Sequence, residues 1–211
     1  AFCTVGCRLN QCETAQMQEA LTVAGFKVVD WEQPADVRVV NTCTVTAKSD
    51  RTCRHDIHAA KRLDPGCLLV VTGCLSQVAP ESVAAIPGVD LVLGNPDKRE
   101  LAAHLAALLQ AAPPRTGGVA APHGSTTPEV AVSAYSERPR FENDAVPRFH
   151  GRTRAFLKVQ TGCDNHCAYC IVPVARGPAR SMPKGTVLQQ VQLVVAQGHR
   201  EVVLTGVDLG S

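Results

Sequence analysis

Two hydrophobic periods alternate along the first half of the chain. Short β-branched or leucine-rich runs recur at 1–5, 37–40, 67–72 (CLLVVT) and 91–93, each bounded by turn-forming residues. Runs of this length and composition are expected as buried strands. Between them, 12–24 has apolar residues at helical spacing and is closed by Gly25. Residues 50–63 form a second helical pattern stopped by Pro65 and Gly66, and the Ala/Leu-rich stretch 98–111 forms a third. Apolar strands alternating with helices predict a parallel sheet covered on both faces, an α/β Rossmann-like domain over 1–111. Residues 112–150 break the pattern. They hold six of the 14 prolines, including the run APPRTGGVAAPHGSTTPE, and read as a linker or extended strap. A second domain is expected from 151. There 155–160 (AFLKVQ) is strand-like, 185–196 is helix-like and ends at Gly198, and 201–205 (EVVLT) is the next strand. One β–loop–α–β unit of this kind opens a β/α barrel or sheet, which 151–211 leaves incomplete.

Composition narrows the class. The 211 residues are 45% hydrophobic but only 4% aromatic, so Val, Leu, Ala and Ile must fill one good core or two modest ones. Charges or Gly/Pro interrupt every apolar run before it reaches membrane-spanning length, and the first residues lack a secretory signal. The chain begins without Met and stops at GVDLGS directly after a strand-like run, so it reads as a piece of a longer protein. Charge is uneven. Residues 1–110 carry 10 Lys/Arg against 12 Asp/Glu, 111–150 carry 4 against 4, and 151–211 carry 7 against 3. The basic last segment suits an anionic ligand or nucleic acid, though a solvated face would look the same.

Ten cysteines are the unusual feature. An even number allows disulfides in a secreted protein, but a chain this long and apolar needs no staples, and clustered thiols suit a reducing, cytoplasmic setting. Cys7, Cys43 and Cys74 each stand just beyond a predicted strand, in VGC, VVNTC and VVTGC. Ligands gather beyond the carboxyl ends of strands in open α/β sheets, so these three are expected to share one site. Cys163, Cys167 and Cys170 form a separate Cys-x3-Cys-x2-Cys loop after strand 155–160. Zinc would ask for a fourth ligand, with His166 and His199 as candidates. An iron–sulfur cluster held by three thiolates, with one iron open, fits better.

The loop with Tyr169 before its last cysteine resembles the signature of radical S-adenosylmethionine enzymes. Together with GCRLNQCET, NTCTVT, TGCLSQ and GCDNHCAYCIVPVARGPARSMP, in that order along the chain, the resemblance narrows to the radical-SAM methylthiotransferase family. It implies a Rossmann-like first domain followed by the start of a partial radical-SAM barrel. It also implies two [4Fe–4S] clusters, one on Cys163, Cys167 and Cys170 and one on Cys7, Cys43 and Cys74, with S-adenosyl-L-methionine as cofactor. Cys3, Cys12, Cys53 and Cys67 have no role to carry over and are expected in packing. Tyr169 would contact the cofactor's adenine, Gly206 would lie where its amino group docks, and Arg176 and Arg180 would meet its carboxylate or an RNA phosphate. Asn10 and Asn41 would orient the cysteines beside them.

GCRLNQCET and NTCTVTAKSD are most similar to the branch that acts on N6-threonylcarbamoyladenosine of tRNA, at C2 of the base. The isopentenyladenosine and ribosomal-protein aspartate branches are the alternatives, and a non-catalytic zinc or iron–sulfur module is the alternative from another class. An electron donor is the further partner implied, and no membrane is. Without the rest of the barrel, this stretch alone is expected to be inactive.

Overall fold

A computed structural model describes residues 1–111, 127–137, 139–141 and 154–210. Its first part runs β1 (Phe2–Thr4), α1 (Arg8–Val23), β2 (Val37–Thr42), α2 (Ala47–Leu63), β3 (Leu68–Gly73), α3 (Cys74–Val78), α4 (Pro80–Ala84) and β4 (Leu91–Leu93). A 3-10 turn (Pro96–Glu100), α5 (Leu101–Ala111) and β5 (Glu129–Ala131) complete it. The strands form one parallel sheet in the order β1-β2-β3-β4-β5. Alternate residues of each strand face opposite layers. Val39, Val70, Leu91 and Leu93 pack under Met17 and Leu21 of α1 and Leu101 and Leu105 of α5. On the other face Val40, Leu69, Val71 and Val92 pack under Cys53, Ile57 and Ala60 of α2, Leu75 of α3 and Val83 of α4. All six residues of β3 are buried, as its unbroken apolar run requires.

The second part comprises β6 (Arg154–Lys158), β7 (Gln160–Thr161), α6 (Val172–Arg176), β8 (Arg180–Ser181), α7 (Lys184–Ala196) and β9 (Glu201–Thr205). β6 and β9 pair in parallel, with α7 as their crossover helix, and β7 and β8 form a short antiparallel clip. Helix α1 serves both parts. Its Met17 and Leu21 belong to the sheet, whereas Cys12 and Ala15 pack with Ala155, Phe156 and Val194. Among the described residues no helix is long and apolar enough to cross a membrane.

The expected α/β layering is observed, with three departures. Helix α1 begins at Arg8, four residues before the expected start; its first turns bury polar Asn10, Glu13 and Thr14 beside Leu9 and Cys12, which blurs the apolar period there. The segment expected to act only as a strap supplies β5, whose register pairs Val92 with Val130. Its Glu129 and Val130 are exposed, so no apolar alternation announces it. The remainder of that segment, 112–126 and 142–150, lies outside the described residues. Helices α3 and α4 follow β3 directly and are five residues each, too short to show a period.

The turn from β3 into α3 depends on Gly73, whose φ is +103° and whose missing Cβ would strike the Thr42 backbone, 2.6 Å from its nitrogen. Gly73→Ala is expected to destabilise the fold by about 1–3 kcal/mol or more, combining left-handed strain with a backbone clash that cannot relax. Chemical denaturation of the variant beside the parent measures it.

Candidate metal centre

Three strand-to-helix turns converge at the carboxyl edge of the sheet. Cys7 is the residue before α1, Cys43 follows β2, and Cys74 opens α3. The sequence placed all three beyond strand ends, and each is found there. Gly6, at φ +112°, lets its loop lie against Cys43; a Cβ would sit 2.6 Å from that residue's Cβ. Asn10 ties the loops together. Its Nδ2 donates to the Val5 carbonyl at 2.8 Å and to the Thr42 carbonyl at 2.9 Å. Asn41 Nδ2 donates to the Asn10 carbonyl and to Thr14 Oγ1, both at 3.0 Å. Thr42 Oγ1 donates to the Thr72 carbonyl at 2.5 Å and accepts from Leu75 N–H. Apart from Thr14 Oγ1 these are backbone groups in or next to the three cysteine-bearing loops, so the two asparagines and Thr42 fix the loops relative to one another.

All ten cysteines are free. Cys53 Sγ accepts from Cys43 N–H at 3.2 Å and donates to the Cys43 carbonyl at 3.3 Å, holding that loop from behind. Burial pushes the Cys53 thiol up to about 12, so it stays protonated. Burial likewise raises Cys3 to about 12, helped by Asp56, and raises Cys67, which precedes β3 at the opposite edge. Cys12 is buried between α1 and β6.

The second cysteine group sits on the 162–171 loop. Cys163 N–H donates to the Gly177 carbonyl at 3.1 Å and Cys170 N–H to the Cys167 carbonyl at 3.0 Å. Asp164 accepts from Ala179 N–H, and the β7–β8 clip closes the base. Tyr169 is 93% exposed. Gly206 lies against Gln160, which a Cβ would meet at 2.8 Å. Gln160 Oε1 accepts from Val207 and Asp208 N–H, so the chain after β9 is pinned to the root of the cysteine loop.

Helix α6, which follows that loop, docks on α3. Here the structure corrects one expectation. Arg176 does not face outward toward a cofactor carboxylate or a phosphate. It is 4% exposed and turned into the first domain, because a buried carboxylate there demands it. Nη1 donates to Glu13 Oε1 at 2.8 Å, and Nη2 donates to Glu13 Oε2 at 3.3 Å and to Asn10 Oδ1 at 2.5 Å. Lys98 Nζ reaches the same carboxylate at 2.6 Å and Lys158 Nζ lies 3.8 Å from it. Burial alone would raise the Glu13 pKa, but Arg176, Lys98 and Lys158 together hold it well below the usual carboxylate range. Arg180, also expected to meet an anion, donates to the Arg176 and Pro178 carbonyls, and its guanidinium lies over the Tyr135 ring at 5.1 Å.

Glu13, Lys98 and Asn95 went unnoticed in the sequence. Asn95 lies beyond the end of β4, the same placement that singled out the cysteines, and its Nδ2 donates to the Ala175 carbonyl at 2.6 Å. Glu13 gave a fainter signal, as an acid on the inward side of an amphipathic helix.

The donor set fits an iron–sulfur cluster. Cys7 Sγ donates to Asn10 Oδ1 at 3.9 Å and Asn95 Nδ2 donates to Cys74 Sγ at 3.9 Å. Asn10 also accepts from Arg176 and Asn95 donates to the Ala175 carbonyl, so the Cys7 and Cys74 loops both reach the end of α6, and Gly6 sets the Cys7 loop against Cys43. Three cations meet one carboxylate beside them, a positive excess that thiolates balance. Among the described residues, the buried side-chain atoms without partners are Asp50 Oδ1 on α2 and, at this edge, Asn41 Oδ1, Thr72 Oγ1, Ser76 Oγ and Asn95 Oδ1. The hydroxyls of Thr72 and Ser76 are free to donate to sulfide or thiolate. No three His, Cys, Asp or Glu among the described residues gather closely enough for a single metal ion; a four-iron cube spreads its ligands over a larger body.

Residues 1–94 match the family described as Uncharacterized protein family UPF0004, and 157–209 match the Radical SAM superfamily. Threonylcarbamoyladenosine tRNA methylthiotransferase MtaB of Bacillus subtilis is 39% identical over 210 residues, covering 100% of this chain and 44% of that protein. The protein of the same name from Aquifex aeolicus is 40% identical, covering 99% and 48%. Ribosomal protein uS12 methylthiotransferase RimO of Chloroflexus aurantiacus is 34% identical, covering 95% and 44%. The chain thus spans about half the length of these curated relatives. The radical S-adenosylmethionine methyltransferase TsrM of Kitasatospora setae shares the fold, with a TM-score of 0.58 at 17% identity, over 93% of this chain and 44% of that one.

Glu13→Gln is expected to lower stability by about 3–5 kcal/mol at neutral pH, because it leaves buried cations without their counter-charge. The depressed Glu13 pKa gives the difference its pH dependence. The carboxylate's contribution is intact above the unfolded value of ~4.3, drains as pH falls below it, and is gone once pH passes the folded value. Urea midpoints of parent and variant across that range measure both effects.

Proposed function

The chain belongs to the radical-SAM methylthiotransferases over the part of their length that it spans, and from that premise we propose the activity of the whole protein. It transfers a methylthio group to C2 of N6-threonylcarbamoyladenosine beside the anticodon of tRNA. The observation that carries this reading is the contact between the helices that adjoin the two cysteine groups. α6, which ends the Cys163–Cys170 loop region, seats on α3, which Cys74 opens. The choice of base is supported by the two relatives at 39–40% identity, both named for threonylcarbamoyladenosine; three more of that name stand at 32–34%, level with the 34% of the relative named for uS12.

In this reading Cys163, Cys167 and Cys170 hold one [4Fe–4S] cluster, and Cys7, Cys43 and Cys74 hold a second. When bound, the clusters supply a reducing electron for S-adenosylmethionine and a site for the sulfur that is transferred. The remaining work falls to the chain. Asn10, Asn41 and Thr42 hold the first trio of loops in register, and Cys53 steadies Cys43 from behind. Exposed Tyr169 offers a face for the cofactor's adenine. Gln160, pressed against Gly206, keeps the chain after β9 beside the cysteine loop, where the cofactor's amino group docks. Arg180 remains available to a carboxylate or phosphate at the rim, whereas Arg176 positions the two domains. The setting is cytoplasmic, where thiols stay reduced and an electron donor is at hand.

The two trios are expected to separate by function. Cys163→Ala abolishes cofactor cleavage, read as 5′-deoxyadenosine by mass spectrometry, whereas Cys43→Ala in the whole protein spares cleavage and stops methylthiolation of tRNA. A Cys43→Ala protein that still methylthiolates tRNA in quantity contradicts the assignment. Mass spectrometry of tRNA from cells lacking the gene identifies the base.

A further inference from the structure

Helix α2 carries a charge pattern that neither the fold nor the cysteine centre uses. Its inward face, Cys53, Ile57 and Ala60, is buried on the sheet. Lys48, Arg51, His55, His58 and Arg62 are all exposed. Their spacings of three, four, three and four residues place them within one narrow stripe along the helix. At 1.5 Å per residue the stripe is roughly 21 Å long.

Ordinary solvated helix faces interleave acids with bases three or four positions apart, since such pairs stabilise a helix and like pairs oppose it. This stripe has no acid at those positions. The two acids of α2 lie off it: Asp50 pairs with Arg54, and Asp56 takes the Cys3 thiol and the His55 ring. The other two cations of the helix are also accounted for, as Arg54 donates to Ser82 Oγ and Lys61 pairs with Asp90. Lys48, Arg51 and Arg62 form no ion pair with any described residue. The concentration is local. Helix α2 holds five Lys/Arg against two Asp/Glu inside a region, 1–110, that is net acidic.

The stripe also has a direction. α2 starts four residues after Cys43, with Thr46 as its N-cap, so Lys48 lies beside the cysteine edge and Arg62 lies at the far end. Arg8, exposed next to Cys7, extends the positive surface on that edge. A row of unpaired cations leading up to a reaction centre suits a polyanion whose reacting group must reach that centre.

We infer that the outer face of α2 is a docking rail for the phosphate backbone of the RNA substrate, leading it to the cysteine edge of the sheet. The inference rests on the reading of RNA as substrate, but the contacts are to phosphate and do not depend on the modified base.

The test compares the whole protein with its Lys48→Ala/Arg51→Ala/Arg62→Ala variant, and with Lys27→Ala as a control for loss of one exposed cation elsewhere. Alanine is the strongest helix former, so the triple variant keeps α2, and its circular dichroism should match the parent's. The probe is a fluorescently labelled, unmodified RNA stem-loop, titrated by anisotropy at several salt concentrations. The triple variant is expected to bind about tenfold or more weakly, with a slope of log K against log salt shallower by about 2–3. Lys27→Ala should bind within about twofold of the parent. A triple variant with unchanged affinity and slope overturns the inference, as does an equal loss in Lys27→Ala. Because the probe carries no modified base, a wrong choice of base leaves this result intact. Conversely, methylthiolation of tRNA with no binding defect in the triple variant removes the rail and leaves the activity standing.

Discussion

One carboxylate organises the contact between the two parts of this protein. Glu13, buried on the first turns of α1, meets Arg176 in a forked pair, Lys98 from its own domain, and Lys158 from the end of β6. A buried charge of this kind is tolerated only while its partners are in place, so the contact behaves as a latch that is either made or lost. What it latches matters. Asn10 accepts from Arg176 while donating to the carbonyls that shape the Cys7 and Cys43 loops. Arg176 itself ends the helix that follows the second cysteine group. Arg176 thus ties the Cys7 and Cys43 loops to the helix that follows the second cysteine group, beside the bond from Asn95 to the Ala175 carbonyl.

The latch also leaves a net positive charge beside Cys7, Cys43 and Cys74. Cys74 illustrates the balance. Burial holds its thiol above the ordinary value, while Arg176 and Lys98 pull the other way. A metal that displaces the thiol protons turns the surplus of cations from a cost into a counter-charge. Buried polar atoms left without partners at the same edge follow the same logic, since an edge shaped only for folding would have satisfied them.

Much of this was legible in the sequence, and what was missed has physical reasons. β3 and β4 were readable because both faces are buried, so their runs are uninterrupted. The shared placement of Cys7, Cys43 and Cys74 followed from strand-end logic alone. β5 was not readable, because an exposed edge strand with Glu129 and Val130 outward carries no apolar signature. The early start of α1 was hidden by the polar residues it buries at the domain contact. Arg176 was noticed but aimed wrongly. A sequence shows that an arginine follows the cysteine loop; it does not show that Glu13, 163 residues away, turns it inward.

In this reading six cysteines form two separate cluster sites, and the measure of that is iron and acid-labile sulfide counted after anaerobic reconstitution. The parent chain is predicted to take up about eight of each, and replacing either Cys7, Cys43 and Cys74 or Cys163, Cys167 and Cys170 by alanine is predicted to leave about four. A parent that holds only about four irons, or a loss of all iron when either trio is removed, contradicts it.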